Sequence, residues 1–193
     1  KNLITLLQKN FIIITFSPIC IFFMENLLKQ DVGKALNTFN NGYNSIICTG
    51  DNEKNSLKVC ECLEYIYNNV IYINDTFDHS NFNEKNSICN NLIIFKGTNF
   101  IELLDIFLDT NNYIIFSCCT PSDKEKIVSY IQTYEKHVIF TGDGINDIYA
   151  LRKADLGICF PKDNEFNYLP IVKEAADVTT ENFSKYFWRD WGD

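Results

Sequence analysis

Short apolar runs recur along this chain, each followed by a stretch whose apolar residues return every three or four positions, the alternation that builds a parallel sheet with helices packed over it. The runs predict strands over Asn44 to Cys48, Val70 to Ile73, Tyr113 to Phe116, Val138 to Phe140 and Leu156 to Cys159. The amphipathic stretches predict helices over Asp31 to Phe39, Glu53 to Tyr65, Asn99 to Leu108 and Pro121 to Tyr134, the last opened by a proline suited to the first helical position. Phe11 to Met24 is strongly apolar, but it is broken by Ser17-Pro18 and falls short of the roughly 20 residues that a membrane-spanning helix requires. It reads as two buried strands, or a strand and its turn. Asn74 to Asn91 is polar and without period, and is expected to be an inserted mobile loop. The fold class that follows is α/β, a mostly parallel sheet flanked by helices.

With 193 residues, 46% of them hydrophobic, the chain can bury one sizeable core. A net charge of -8 and a pI near 4.8, with no basic stripe interleaved with aromatic residues, argue against a nucleic-acid partner. The acidic balance also suits an anionic lipid surface poorly. Eight cysteines raise the question of a metal or disulfide framework. None forms a CxxC pair, Cys60 and Cys62 are two apart on a predicted helix, and neither His79 nor His137 is near a cysteine pair. Free thiols behaving as small apolar groups in a reducing compartment are expected. A targeting segment is not expected, although Lys1 and Lys9 flank apolar residues, because no small-residue cleavage site follows.

The densest chemistry lies in His137 to Ile158, HVIFTGDGINDIYALRKADLGI. Val138, Ile139 and Phe140 predict a strand, Thr141-Gly142-Asp143-Gly144 a turn, and Asp147 onward a short helix. Asp143 and Asp147 can then face one point at the strand's exit. Mg²⁺ takes hard oxygen ligands, typically one or two carboxylates completed by water and substrate phosphate, so this pair fits its needs. Gly142 and Gly144 omit the Cβ atoms that would hold a phosphate away from the backbone, and the Asn146 amide can donate to a phosphate oxygen. A bland alternative also exists, a tight Asp-Gly turn with Asp147 as an N-cap.

The string TGDGINDIYALRKADLGI resembles the hinge motif of P-type ATPases, whose phosphorylation domain belongs to the haloacid dehalogenase superfamily. Further matches follow the family's order. MENLLKQDVGKALNTF (Met24 to Phe39) resembles the segment leading into the second strand, and SIICTGDNEKNSLKV (Ser45 to Val59) resembles the strand, TGD and helix after it. IIFSCCTPSDKEKIVSYIQ (Ile114 to Gln132) resembles the element in which a strand, a proline and a lysine open a helix. VKEAADVTTENFSKY (Val172 to Tyr186) resembles the closing strand.

The resemblance implies a Rossmann-like fold in which Thr49, Gly50, Asp51, Lys124 and Asn146 contact phosphate, with Thr49, Lys124 and Asp143 catalytic. Asp143 and Asp147 would hold Mg²⁺, and ATP would be the substrate of the parent protein. The family's nucleophile, the aspartate of a DKTGT motif, has no counterpart here; Asp75-Thr76-Phe77-Asp78 has the wrong spacing and lies after TGD. Residues 1–187 are therefore expected to be the C-terminal part of a phosphorylation domain, with an insertion around 74–91 and a tail at 188–193. Such a piece would be inactive alone and would work on the cytosolic face of a membrane. Its partners would be the nucleotide-binding, actuator and transmembrane domains of a pump for a cation or a polyamine-like cargo. Tyr149 departs from the family pattern, giving IYAL where APAL is usual, which leaves the subfamily open. Two rivals remain at this stage, a soluble haloacid-dehalogenase-type phosphatase and a non-catalytic phosphate-binding or regulatory module.

Overall fold

The computed structural model describes residues 11–16, 19–24, 45–63, 65–77, 90–108, 111–159 and 170–179. Two compact units divide the chain, Lys1–Gln30 and Asp31–Asp193. In the first, strands β1 (Phe11–Phe16) and β2 (Ile19–Met24) pair antiparallel from Phe11 opposite Met24 to Phe16 opposite Ile19, which is the two-strand reading of that segment. The helix expected over Asp31 to Phe39 lies outside the described residues, as do residues 78–89 of the expected insertion and the tail at 188–193.

The second unit opens with β3 (Ile46–Cys48), α1 (Glu53–Cys62), β4 (Val70–Ile73) and β5 (Leu92–Lys96). A 3-10 turn over Ile101–Leu104 leads into α2 (Asp105–Leu108), followed by β6 (Tyr113–Ser117) and α3 (Pro121–Gln132). These strands form a four-stranded sheet in the order β3-β6-β5-β4, parallel throughout. Its centre includes β5, a strand the sequence pattern does not predict. Both faces of β5 are covered, so Leu92 to Phe95 are buried without alternation. One face packs Ile93, Phe95, Ile114 and Phe116 under Leu104, Phe107 and Ile127, and the other packs Leu92, Ile94 and Ile115 under Cys60 and Leu63. The expected helix from Asn99 starts instead as a 3-10 turn, because Gly97 reverses the chain at φ 60° and Phe100 offers no side-chain cap.

The chain continues through β7 (Ile139–Gly142), a 3-10 turn over Ile145–Asp147, α4 (Ile148–Lys153), β8 (Leu156–Cys159), α5 (Pro170–Ala175) and β9 (Val178–Thr179). The strands form a three-stranded parallel sheet, β7-β8-β9. Ile148 and Leu151 of α4 pack with Cys159, Val172 and Ala175. Gly157 lets α4 lie against β8, since a Cβ there would stand 2.5 Å from the Leu151 carbonyl oxygen. Asp177 locks the next strand on: its carboxylate accepts from the Gly157 amide at 2.7 Å, and its own amide donates to the Gly157 carbonyl at 2.9 Å. Strand β7 extends to Gly142, two residues beyond the predicted end, because Thr141 and Gly142 pair in register with Ile158 and Cys159.

At the end of α3, Gln132 Nε2 donates to Asp155 Oδ2 at 3.0 Å and to the Lys153 carbonyl at 3.1 Å. The Val138 amide donates to the same carboxylate at 2.9 Å, and His137 Nδ1 lies 3.5 Å from its other oxygen. These partners, the Gln132 amide first, hold the Asp155 carboxyl down to about 2, against an ordinary value of 3.8. A carboxyl lowered on folding adds stability above its unfolded value and loses it as pH falls through the folded one. Asp155→Asn should therefore lower the denaturation midpoint most near pH 6, with the gap to wild type narrowing below about pH 4 and closing near pH 2. A gap independent of pH across urea titrations would show that the Asp155 charge contributes nothing.

Candidate functional site

Lys124 stands in the first turn of α3, just after the end of β6. That turn is fixed before the lysine is reached. Thr120 caps the helix and Asp123 completes a capping box: Asp123 Oδ2 accepts from the Thr120 amide at 2.9 Å and from the Thr120 hydroxyl at 2.7 Å. Asp123 Oδ1 accepts from the Thr98 hydroxyl at 2.7 Å, tying the helix start to the turn after β5. These hydrogen bonds to Thr120 and Thr98, with Lys126 nearby, outweigh the cost of burial and hold the Asp123 carboxyl below its ordinary value. The sequence reading passes over Asp123, although Thr120-Pro-Ser-Asp123 carries the capping-box spacing.

Held in this way, Lys124 is buried, and its Nζ donates to Asp147 Oδ1 at 2.6 Å. Both side chains are nearly closed to solvent, 10% and 9% exposed. The other oxygen of Asp147 accepts from the backbone amides of Asp143 and Gly144 at 3.2 and 3.1 Å. Asp147 thus folds the Gly-Asp-Gly loop around itself and joins it to α3. Asp147 stands at the N-cap position of α4, but its side chain makes no cap bond to that helix and instead closes the preceding 3-10 turn. The glycines serve this arrangement directly. A Cβ at Gly142 would stand 2.5 Å from Asp147 Cβ, and one at Gly144 would stand 3.0 Å from Asn146 Oδ1. The space the sequence reading reserves for a phosphate is taken at Gly142 by the Asp147 side chain.

Thr49 follows β3. Its hydroxyl accepts from the Asp51 amide at 3.1 Å and points at Asp51 Oδ2 at 3.4 Å, so a local turn engages the side chain that the resemblance assigns to phosphate. The loop is stitched to the end of β6, with Thr49 N donating to Phe116 O at 2.9 Å, Cys119 N to Thr49 O at 2.9 Å and Cys118 N to Asp51 O at 2.7 Å. Cys118 takes φ 55° to make this turn. The end of β3 lies within the field of the ion pair. Burial pushes the Cys48 thiol well up, a neighbouring Cys119 adds to it, and Lys124 and Asp147 act on it with opposite signs. Cys119 is likewise pushed up by burial, to about 12, so both thiols favour the protonated form at neutral pH. Cys48, Cys60, Cys118, Cys119 and Cys159 are free thiols.

The structure therefore brings Lys124, Asp143, Gly144 and Asp147 into one cluster, with the loop after β3 tied to the segment that leads into α3, while Gly50, Asp51 and Asn146 are exposed. Two carboxylates within one turn are the hard oxygen donors that suit Mg²⁺, and a buried ammonium beside them suits a phosphate oxygen. Among the described residues no group of three or more His, Cys, Asp or Glu side chains forms a metal cage, so a cation here would depend on water and substrate oxygens for the rest of its shell. No helix among the described residues is long and apolar enough to cross a membrane.

No family model matches the chain. Among curated proteins it is 27% identical over 145 residues to the endoplasmic-reticulum-type calcium-transporting ATPase 3 of Arabidopsis thaliana, covering 74% of this chain and 12% of that protein. It is 28% identical over 163 residues to a calcium-transporting ATPase of Plasmodium falciparum, covering 81% of this chain and again 12% of the relative. Among solved structures it resembles a zinc-transporting PIB-type ATPase, with a TM-score of 0.53 at 19% identity over 87% of this chain and 19% of that one. That likeness concerns the fold, and it agrees with the parallel α/β architecture. On the motif order and these relatives, the chain is related to the P-type ATPases, spanning about an eighth of the length of the curated relatives it matches.

Proposed function

We propose that this chain is the C-terminal part of the phosphorylation domain of a P-type ATPase, which couples ATP hydrolysis through an aspartyl-phosphate to the transport of a cation or a polyamine-like cargo. The observation that carries the reading is the buried contact between Lys124 and Asp147, which unites two motifs 23 residues apart. Lys124 neutralises charge on a phosphoryl group at the ends of β3 and β6, with Thr49 and Asn146 as further donors to its oxygens. Gly50 and Asp51 shape the turn that presents Thr49. Asp143 and Asp147 would hold Mg²⁺, which when bound neutralises charge on the phosphate oxygens.

The attacking carboxylate comes from a DKTGT segment, which this chain lacks. Among the described residues β3 and β7 each have a neighbour on one side only. Ile46–Cys48 of β3 and Phe140 to Gly142 of β7 are partly buried, Ile139 is exposed, and both strands lead into the site. A strand carrying DKTGT between them would join the two sheets and bring its aspartate to Lys124. The nucleotide-binding, actuator and transmembrane domains of the pump are the remaining partners, and the chain works on the cytosolic face of the membrane.

Mixing the chain with a separately expressed piece that carries DKTGT and the nucleotide domain tests the reading. Mg²⁺-dependent acyl-phosphate should form from ATP, and it should be lost with Asp143→Ala in this chain. Failure with well-folded partners would favour the non-catalytic module. Hydrolysis of a small phosphate ester by this chain alone would favour the phosphatase.

A further inference from the structure

The geometry points to Thr98 as a positioning residue for Lys124: by holding Asp123, it sets the direction in which the start of α3 presents the lysine to the site. The inference rests on the role proposed for Lys124 and names what aims it.

Lysine carries its ammonium on a flexible stem, so the place of the charge depends on how firmly the backbone at its root is fixed. That root is Asp123. Its Oδ2 accepts from the amide and the hydroxyl of Thr120, and its own amide donates to the Thr120 hydroxyl at 3.2 Å, bonds that form the helix start without fixing its direction. The bond that leaves the helix does that. Thr98 Oγ1 donates to Asp123 Oδ1 at 2.7 Å, and Thr98 is anchored in turn, because the neighbouring Gly97 amide donates to the Ser117 carbonyl at 2.8 Å. Ser117 donates to the Phe95 carbonyl at 2.9 Å, so the ends of β5 and β6 form one corner from which Thr98 reaches the helix. Thr98 is half-buried and the Asp123 side chain is 15% exposed, so water competes poorly for a bond already strengthened by the charge on its acceptor. Lys126 lies 3.9 Å from the same oxygen but is 63% exposed, which makes it the weaker tether. Ile127 and Val128 hold α3 by burial one turn later, a force without direction.

Thr98→Val removes the hydroxyl, keeps the β-branched shape and leaves the capping box whole, so it separates the aim of Lys124 from the formation of α3. Nuclear magnetic resonance of the Lys124 ammonium in the full chain reads its contact with Asp147. The ammonium protons should exchange with water on the order of tenfold faster in Thr98→Val, as the loss of a hydrogen bond onto a charged group implies, and Thr98→Ser should restore the wild-type rate. In the mixture with the piece that carries DKTGT and the nucleotide domain, Thr98→Val should slow acyl-phosphate formation at saturating ATP by on the order of tenfold or more, because a misplaced charge is felt in the reaction. The half-saturating ATP concentration should not move, since the other piece binds the nucleotide. Thr98→Ala serves if the valine variant does not fold. Wild-type exchange in Thr98→Val, or a change that Thr98→Ser does not reverse, would overturn the positioning role and leave the proposed function standing. An absence of acyl-phosphate in the wild-type mixture would count against the proposed function, while proton exchange in the chain alone still decides whether Thr98 aims Lys124.

Discussion

Asp147→Ala should lower the unfolding free energy by about 3–5 kcal/mol, the range found when one member of a buried ion pair is removed. The loss has two sources. Lys124 is left without its carboxylate partner in a place 10% open to solvent, and the Asp143 and Gly144 amides lose the oxygen that gathers them. Lys124→Met should cost less, because the carboxylate left behind retains both amide donors. In the double variant Lys124→Met/Asp147→Ala no buried charge remains, so it should be more stable than Asp147→Ala alone. Urea midpoints at constant m-value measure all three. An Asp147→Ala loss under about 1 kcal/mol would mean that the pair is solvated, since exposed ion pairs contribute only that much. Against a typical total of about 5–15 kcal/mol, the expected loss is a large share of what keeps a domain folded.

This sensitivity bears on what the sequence conveys about the site. Spacing alone places Asp143, Asp147 and Lys124 at the ends of strands, because Gly-Asp-Gly and Thr-Pro are local signals with a local mechanism. It does not convey that Lys124 and Asp147 bond to each other across 23 residues, since no periodicity encodes the stacking of α3 against the loop after β7. For the same reason the glycines of the loop are read as space for a ligand, when Gly142 gives its space to Asp147. Thr49 shows a different difficulty. Its position after β3 is legible, but the bond from the Asp51 amide to its hydroxyl is a choice between turn and ligand that sequence leaves open. The strands Val70–Ile73 and Leu156–Cys159 match their predicted bounds. Helix α1 stops at Cys62, three residues before its predicted end, where Leu63 turns its amide back to Cys60 O and Val59 O.

The strand that spacing misses, β5, is the one whose damage should hurt most among the core residues. Its four apolar residues follow a polar, asparagine-rich stretch and are succeeded by Lys96, so they show neither alternation nor helical period. Burial on both faces is the cause of that plainness, and it also makes the strand the keystone of the sheet. Phe95 is 1% exposed, stacks on Phe116 with centroids 4.6 Å apart, and meets the edge of Phe107 at 6.1 Å. Phe95→Ala should therefore lose about 3–5 kcal/mol, the transfer term plus the cavity. The site should suffer with it, because Ser117 donates to the Phe95 carbonyl at 2.9 Å, and Ser117 ends the strand that leads to Cys119, Thr120 and Lys124. Ile139 provides the contrast. It lies on β7 with 47% of its surface exposed, and Ile139→Ala should change stability by less than about 1 kcal/mol. Comparable losses at the two positions would mean that β7 is covered in solution, whereas a loss confined to Phe95 would establish β5 as the element on which the placement of Lys124 depends.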